Sequence, residues 1–550
     1  MKLPRRVTHC LLGAVITVAL LFRYPLGIGH EMGSDTTFIH TLSNSIVQQG
    51  YAAWILSPSS YFGLYALSYP SAEPFLLASM SLISDTPIEG AMLLNGLAFA
   101  VVGALAAFAA ARRLTEDDRF AILVSLLFSV APFYLKETTW IGSSRGFDTS
   151  LVPSVFLVLL LNNRKFDSRH VFITGLLIFT MSALHRMGTL TAFVLIAYAF
   201  AIPFHKVTQK LRFVLGRYEK PFRLISSGTA AAAFLGLFYI QFLFPGIAGP
   251  NVVEEYGTSA VLTGHSFPVL LLNMAVSLAG KTGVLLPLAV MGLAGLVWKR
   301  PKTDRDKFLL VTAFVIVPLL SLRDYIGEFL IFIFVLFLAM PLIPKRDHGI
   351  RRKLVTVAAV VLMLGGAIAF SWTMKDYWRE RYNTDSPIPD DVYDVALYTR
   401  WHTSNNMASN EGMSAGRVAA ISGRPVLPLG GASNHWFGPQ QLTFGFVNSD
   451  RVAVRLIPLT SITFQTDEIF LPVGVPNAKD GYEAIFYNKY GDSLSGRALS
   501  DYDISYVLVT NLRPNEFQSY IWRPSPFLVG VQQEAFRVYD AGSNSIWYLG

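Results

Sequence analysis

Residues able to do acid–base or electrostatic chemistry cluster in a few short stretches of this 550-residue chain. The first, Gly29-His30-Glu31-Met32-Gly33-Ser34-Asp35, runs into a segment where Phe38, Leu42 and Ile46, with Ile39 and Val47 beside them, recur at helical spacing. Ser34 or Asp35 is therefore expected to cap an amphipathic helix lying along a membrane surface. A helix dipole keeps a carboxylate at that end ionised, as a general base or metal ligand requires; a pure capping role for Asp35 is the competing reading. The second stretch, Lys136 to Ser150, contains Arg145 and Asp148. Three apart at a helix start, they can face one cavity or form a local ion pair of little energetic weight. The third holds Glu254 and Glu255, and four further basic residues, His185, Arg186, Lys281 and Arg323, fall at the ends of apolar runs. Each is either an interfacial anchor or part of a site.

The elements that must position these groups are membrane spans. A chain that is 52% apolar and only 15% charged is too greasy for a soluble protein of this length. Its 45 basic against 37 acidic residues sit in clusters between apolar runs, a topology signal that excludes a nucleic-acid-binding face. With roughly 20 apolar residues needed per crossing, spans are expected near 9–28, 88–111, 119–135, 149–162, 170–186, 189–205, 226–245, 283–298, 308–322, 327–343 and 354–373. The N-terminus is then cytoplasmic and every major basic loop lies inside. Residues 267–280 would break that pattern if they crossed, so they are expected to be re-entrant or interfacial. The fold class is thus a polytopic α-helical membrane protein: a bundle of about 11 spans over residues 1–375, with external loops 29–87, 136–148 and 246–282. Residues 376–550 follow as an extracytoplasmic mixed α/β domain, with β-like runs at 424–428, 452–456, 506–509 and 536–539. Cys10 is the only cysteine, so no intramolecular disulfide forms.

In order and sidedness these residues resemble the C-type (GT-C) glycosyltransferase superfamily, and within it most closely the catalytic subunit of oligosaccharyltransferase. That family's essential acid after the first span is matched by Asp35. Its second acidic motif is matched by Gly146-Phe147-Asp148-Thr149-Ser150, with Ser150 where the family has a final acid. Glu254 matches the third acidic element in position, and Arg323 matches an arginine that binds lipid phosphate. Where the family carries Trp-Trp-Asp-Tyr-Gly, this chain has Asn410-Glu411-Gly412 in a similar layout without the aromatic residues.

The resemblance implies a membrane glycosyltransferase that moves a sugar from a polyprenyl-phosphate donor, dolichyl or undecaprenyl, to a glycan, lipid or protein acceptor. Asp35 would be the base. Arg323, with Arg186, His185, Lys281 and Arg145, would bind the donor phosphate, and Asn410, Glu411 and Gly412 the acceptor. Asp35, Asp148 and Glu254 would complete a Mg²⁺ or Mn²⁺ site; without the metal, Asp148 would orient the acceptor or pair with Arg145. The competing functions are transfer of a preassembled lipid-linked glycan, a transporter or flippase, and a partner-binding relative without activity. Transporters place ionisable groups at the bilayer midplane in repeated halves, whereas here they lie at the rim and no repeat is present.

Overall fold

The computed structural model describes residues 3–50, 64–65, 72–162, 168–199, 201, 267–299, 301–317, 320, 325–343, 350–381, 387–424, 426–427, 443–456, 460–473, 478–511 and 525–550. The expected span 226–245, Glu254 and Arg323 lie outside the described residues.

In chain order the helices are α1 (Arg5–Arg23), α2 (Ser34–Gln49), α3 (Ala72–Ser84), α4 (Ile88–Thr115), α5 (Asp118–Ser129), α6 (Pro132–Lys136), α7 (Ser144–Asn162), α8 (Ser168–Leu184) and α9 (Thr191–Ala199). After residue 266 come α10 (Phe267–Thr282), α11 (Pro287–Trp298), α12 (Asp304–Ile316), α13 (Tyr325–Ala339) and α14 (Ile350–Arg381). By length and composition, Arg5–Arg23, Ile88–Thr115, Ser144–Leu161 and Val357–Lys375 can each cross a membrane. Other bundle helices pack deeply among their neighbours. In α13, Ile326, Phe329 to Ile333, Val335 and Leu336 are wholly buried, and Phe332 meets Phe128 and Phe156 edge-on at 5.8 and 5.4 Å. Packing of this kind, rather than escape from water, associates helices within lipid. Phe172, Val290, Met291 and Leu362 face outward instead, as lipid-facing side chains do.

The structure adds detail to three expected segments. The run 119–135 is broken, because Pro132 starts a new helix, α6. Between α8 and α9 the chain makes a 3₁₀ turn, Arg186–Leu190. The expected re-entrant segment is α10, and its stretch Ala275–Thr282 meets Pro287–Trp298 at 97°, the geometry of a broken or re-entrant span.

Beyond α14 the chain builds a mixed α/β unit with α15 (Asp390–His402), α16 (Gly412–Ser422), α17 (Ala478–Phe486), α18 (Ser493–Asp501) and α19 (Pro526–Glu534). Its strands β2 (Asn406–Ser409), β3 (Val426–Leu427), β6 (Ile504–Thr510), β7 (Phe536–Asp540) and β8 (Asn544–Tyr548) form one sheet in the order β3-β2-β6-β8-β7. β2 pairs in parallel with β3 and β6; the other pairs are antiparallel. Alternate residues feed two cores, Val507 and Val509 on one face and Leu508 on the other, as the two-residue repeat of a strand dictates. A separate hairpin of β4 (Thr443–Leu456) and β5 (Thr460–Val473) pairs with β1 (Leu64–Tyr65) from the first loop.

Candidate active site at the loop end of the bundle

The first loop is laced to its neighbours by backbone bonds. Met32 N donates to the Trp140 carbonyl at 3.1 Å, and Met32 bridges both Ile141 in parallel and Pro387 in antiparallel sense. The Thr36 hydroxyl donates to the Met32 carbonyl and accepts from Gly142 N at 2.9 Å. Gly33 allows the turn into α2, since its φ of +94° is strained for any side chain.

Gly33, not Ser34 or Asp35, is the N-cap of α2. The capping reading of Asp35 is therefore corrected. Asp35 lies in the first turn, and its Oδ2 accepts from Arg145 Nη2 at 2.8 Å. Ile39, Leu42 and Ile46 pack on α3 and α4 through Leu77, Ala78 and Met92, while Asn44 Nδ2 donates to Ala420 O of α16 at 2.6 Å. The helix is sandwiched between the bundle and the C-terminal unit.

Arg145 and Asp148 do not form the expected local pair. Arg145 sits in the first turn of α7, and a long helical side chain reaches back over the preceding turn. It meets Asp35 and, through Nε, the buried carboxylate of Glu137 at 3.7 Å. Gly146 makes this approach possible, because a Cβ there would lie 2.2 Å from the Glu137 carbonyl oxygen. Burial pushes the Glu137 carboxyl up, but Arg145, Lys136 and the Ser143 hydroxyl outweigh it and hold it below its usual range. Glu73 at the start of α3 completes this rim. It is fully buried and accepts from the Ser144 hydroxyl. Burial raises its pKa to about 8, against the Ser144 hydrogen bond, with the charges of Asp35 and Glu137 adding to the rise.

Asp148 points deeper. It is completely buried, and among the described residues neither carboxylate oxygen has a hydrogen-bond partner; a charged neighbour is Glu328 of α13. Glu328 in turn lies 3.7 Å from Lys281, whose ammonium also sits 5.3 Å over the Phe133 ring. Ser150, two residues on, faces another way, bonding the Tyr134 hydroxyl at 2.9 Å and the Gly146 carbonyl at 2.8 Å. Lys281 and Asp148 thus form a second, interior cluster beside the rim that holds Asp35 and Arg145.

The remaining expected residues are engaged locally. The His185 ring accepts from Met187 N at 3.2 Å at the turn that carries Arg186. Asn410 exchanges two hydrogen bonds with Thr510, at 2.8 and 3.0 Å. Glu411 caps α16 by accepting from Met413 N and Ser414 N, and Gly412 is that helix's first residue. Among the described residues no three His, Cys, Asp or Glu side chains converge to hold a metal ion. Asp35 turns to Arg145, and Asp148 to the side of Glu328.

Four acids or bases went unremarked in the sequence. Glu328 and Arg23 stand inside apolar runs, where an ionisable residue is a functional candidate by default. Arg23 is fully buried, bonded to Thr138 at 2.6 Å and stacked 4.5 Å over Tyr134. Glu73 and Glu137 carry no local signal, since their importance comes from partners brought by other elements.

A polar seam joins this rim to the C-terminal unit. His40 Nδ1 lies 2.7 Å from Glu31, and His30 lies 3.2 Å from Glu89 and stacks on Tyr393 at 3.6 Å. The Tyr393 hydroxyl donates to Glu89 at 3.2 Å. Burial lowers the pKa of Arg417, which lies in the fields of Glu411 and Glu31.

No protein-family model and no curated protein sequence matches the chain. Solved structures do. The archaeal oligosaccharyltransferase AglB from Archaeoglobus fulgidus, in complex with an inhibitory peptide and a dolichol-phosphate, aligns with a TM-score of 0.54 at 13% identity over 92% of this chain and 69% of its own. ArnT from Cupriavidus metallidurans in the apo state gives 0.53 at 12% over 98% and 97%. The mycobacterial arabinofuranosyltransferase AftD gives 0.52 at 16%, covering 100% of this chain but only 40% of that one. The chain thus shares the fold of these three proteins, with several helices long and apolar enough to cross a membrane. Its similarity to ArnT spans nearly the full length of both chains.

Proposed function

We propose that this chain is a membrane glycosyltransferase that takes a sugar from a polyprenyl-phosphate donor and transfers it to a glycan, lipid or protein acceptor outside the cytoplasm. The observation that carries the reading is the Asp35–Arg145 pair, 2.8 Å long, set where two bundle loops and the C-terminal unit meet. Asp35 is partly exposed while its cation is anchored from behind by buried Glu137. An ionised carboxylate held open to the surface is what deprotonation of an acceptor hydroxyl requires. The acceptor oxygen then attacks the anomeric carbon as the bond to the lipid phosphate breaks, through an oxocarbenium-like state.

The leaving phosphate needs cations. Lys281, Arg186 and Arg323 are assigned to it, with His185 at the same turn as Arg186. In this reading the N-terminus is cytoplasmic and residues 376–550 are extracytoplasmic, where Asn410, Glu411 and Gly412 border the acceptor side. The dolichol-phosphate bound by the archaeal neighbour supports a lipid-linked donor here.

The test is transfer of radiolabelled sugar from polyprenyl phosphate in membranes holding matched amounts of wild type or Asp35→Asn. Wild type is expected to transfer, and the variant to lose at least about 100-fold, the size of a missing general base. Equal rates would remove Asp35 from the chemistry. Absence of transfer from every lipid-linked donor would remove the enzyme assignment.

A further inference from the structure

The rim described above carries a cation of its own, between two carboxylates from different loops. Arg145 Nη2 lies 2.8 Å from Asp35 of the first loop, and Nε lies 3.7 Å from Glu137 of the second. Glu137 is buried and further held by Lys136 at 3.5 Å and by Ser143, so the guanidinium is fixed from its inner side. The planar fork of an arginine suits two carboxylates at once. A divalent ion would cross-link the same two loops by the same charges.

We infer that the Arg145 guanidinium is the resident cation of this site: it cross-links Asp35 and Glu137 in place of a divalent metal and holds Asp35 for reaction. Three observations converge on this. Arg145 reaches toward the loops while Asp148, its i+3 neighbour, turns inward to Glu328. The residue standing where an additional acid would complete a metal site is Ser150, whose hydroxyl is turned to Tyr134 and the Gly146 carbonyl. Gly146 is the small residue that lets the first turn of α7 lie against Glu137. Arg145 acts through Asp35 and is a positioning residue. The inference deepens the glycosyltransferase reading and rests on it for its activity arm alone.

The experiment uses the full-length protein. In the binding arm, Mn²⁺ is added to purified wild type, Asp35→Asn and Arg145→Ala, and bound ion is read by electron paramagnetic resonance. Wild type is expected to hold no Mn²⁺, whereas Arg145→Ala, with two carboxylates left facing each other, gains it. Manganese retained by wild type, whichever carboxylate it depends on, overturns the inference. In the activity arm, EDTA leaves wild-type transfer unchanged, and Arg145→Ala falls about 100-fold, the loss typical of one missing electrostatic donor. Guanidinium or Mn²⁺ added to Arg145→Ala, or the conservative Arg145→Lys, restores part of that loss, which repair of a merely structural defect would not do. Abolition by EDTA, or full activity of Arg145→Ala, overturns it. If Arg145→Ala does not fold, the wild-type Mn²⁺ and EDTA readings decide alone. If no donor is used at all, the glycosyltransferase reading fails and the binding arm still decides this one.

Discussion

Replacing Glu73 by glutamine should make the protein more stable, and increasingly so as pH rises. The folded carboxyl has no exposure and keeps its proton up to about 8, against 4.5 for an ordinary glutamate. Between those two values the folded state binds a proton that the unfolded state has released. Stability therefore falls as pH rises from 4.5 toward 8, and the loss is complete above the folded value. A gap of about 3.5 pH units, at about 1.4 kcal/mol each, puts the full effect at about 5 kcal/mol. Glu73→Gln keeps the shape and a hydrogen-bonding group for Ser144 but carries no proton to lose. Unfolding midpoints of purified wild type and Glu73→Gln should coincide at acid pH and separate by several degrees at and above pH 8. A variant no more stable than wild type across that range would refute the reasoning, because Glu73 would then be ionised and compensated in the folded state.

Two further perturbations follow from the same geometry. Gly146→Ala drives a Cβ into the Glu137 carbonyl at 2.2 Å, and since that contact is backbone it should cost at least the roughly 1–3 kcal/mol of ordinary overpacking, read as a lower unfolding midpoint and a lower yield of monodisperse protein. Lys281→Met removes the cation 3.7 Å from buried Glu328 and should cost about 3–5 kcal/mol, the loss typical of breaking a buried pair, most of which the double variant Lys281→Met/Glu328→Gln recovers; a double variant as unstable as the single one would show that the charge of Glu328 is not what Lys281 balances.

Much of the bundle was legible because apolar run length and basic loops report directly on lipid. The run expected at 88–111 is the core of Ile88–Thr115, and the odd segment 267–280, singled out by charge alone, is the one that meets its successor at 97°. The boundaries that moved did so for local reasons, such as Pro132 restarting a helix. The site was half legible. Asp35 and Arg145 stood out by type and position, yet their pairing did not, because spacing joins Arg145 to Asp148 whereas side-chain length and direction join it to Asp35, 110 residues away. Glu73 and Glu137 had no pattern to betray them. A buried carboxylate becomes notable only through what surrounds it, and Ser144 stands 71 residues from Glu73. The helix of the first loop read as amphipathic, but what Asn44 on its polar side meets, Ala420 of α16, stands 376 positions away.

The double bridge at Met32, to Ile141 on one side and Pro387 on the other, bears on how such a protein can be recombined. A chimera that exchanges the C-terminal half at the end of α14 breaks this lacing, whose middle residue, Met32, directly precedes Gly33 at the turn into α2. The natural unit of exchange is therefore discontinuous in sequence: residues 30–32 would have to travel with 387–388, and the Tyr393 face with His30. Lineages that traded C-terminal units without that short segment would have inherited a first loop out of register with its neighbours.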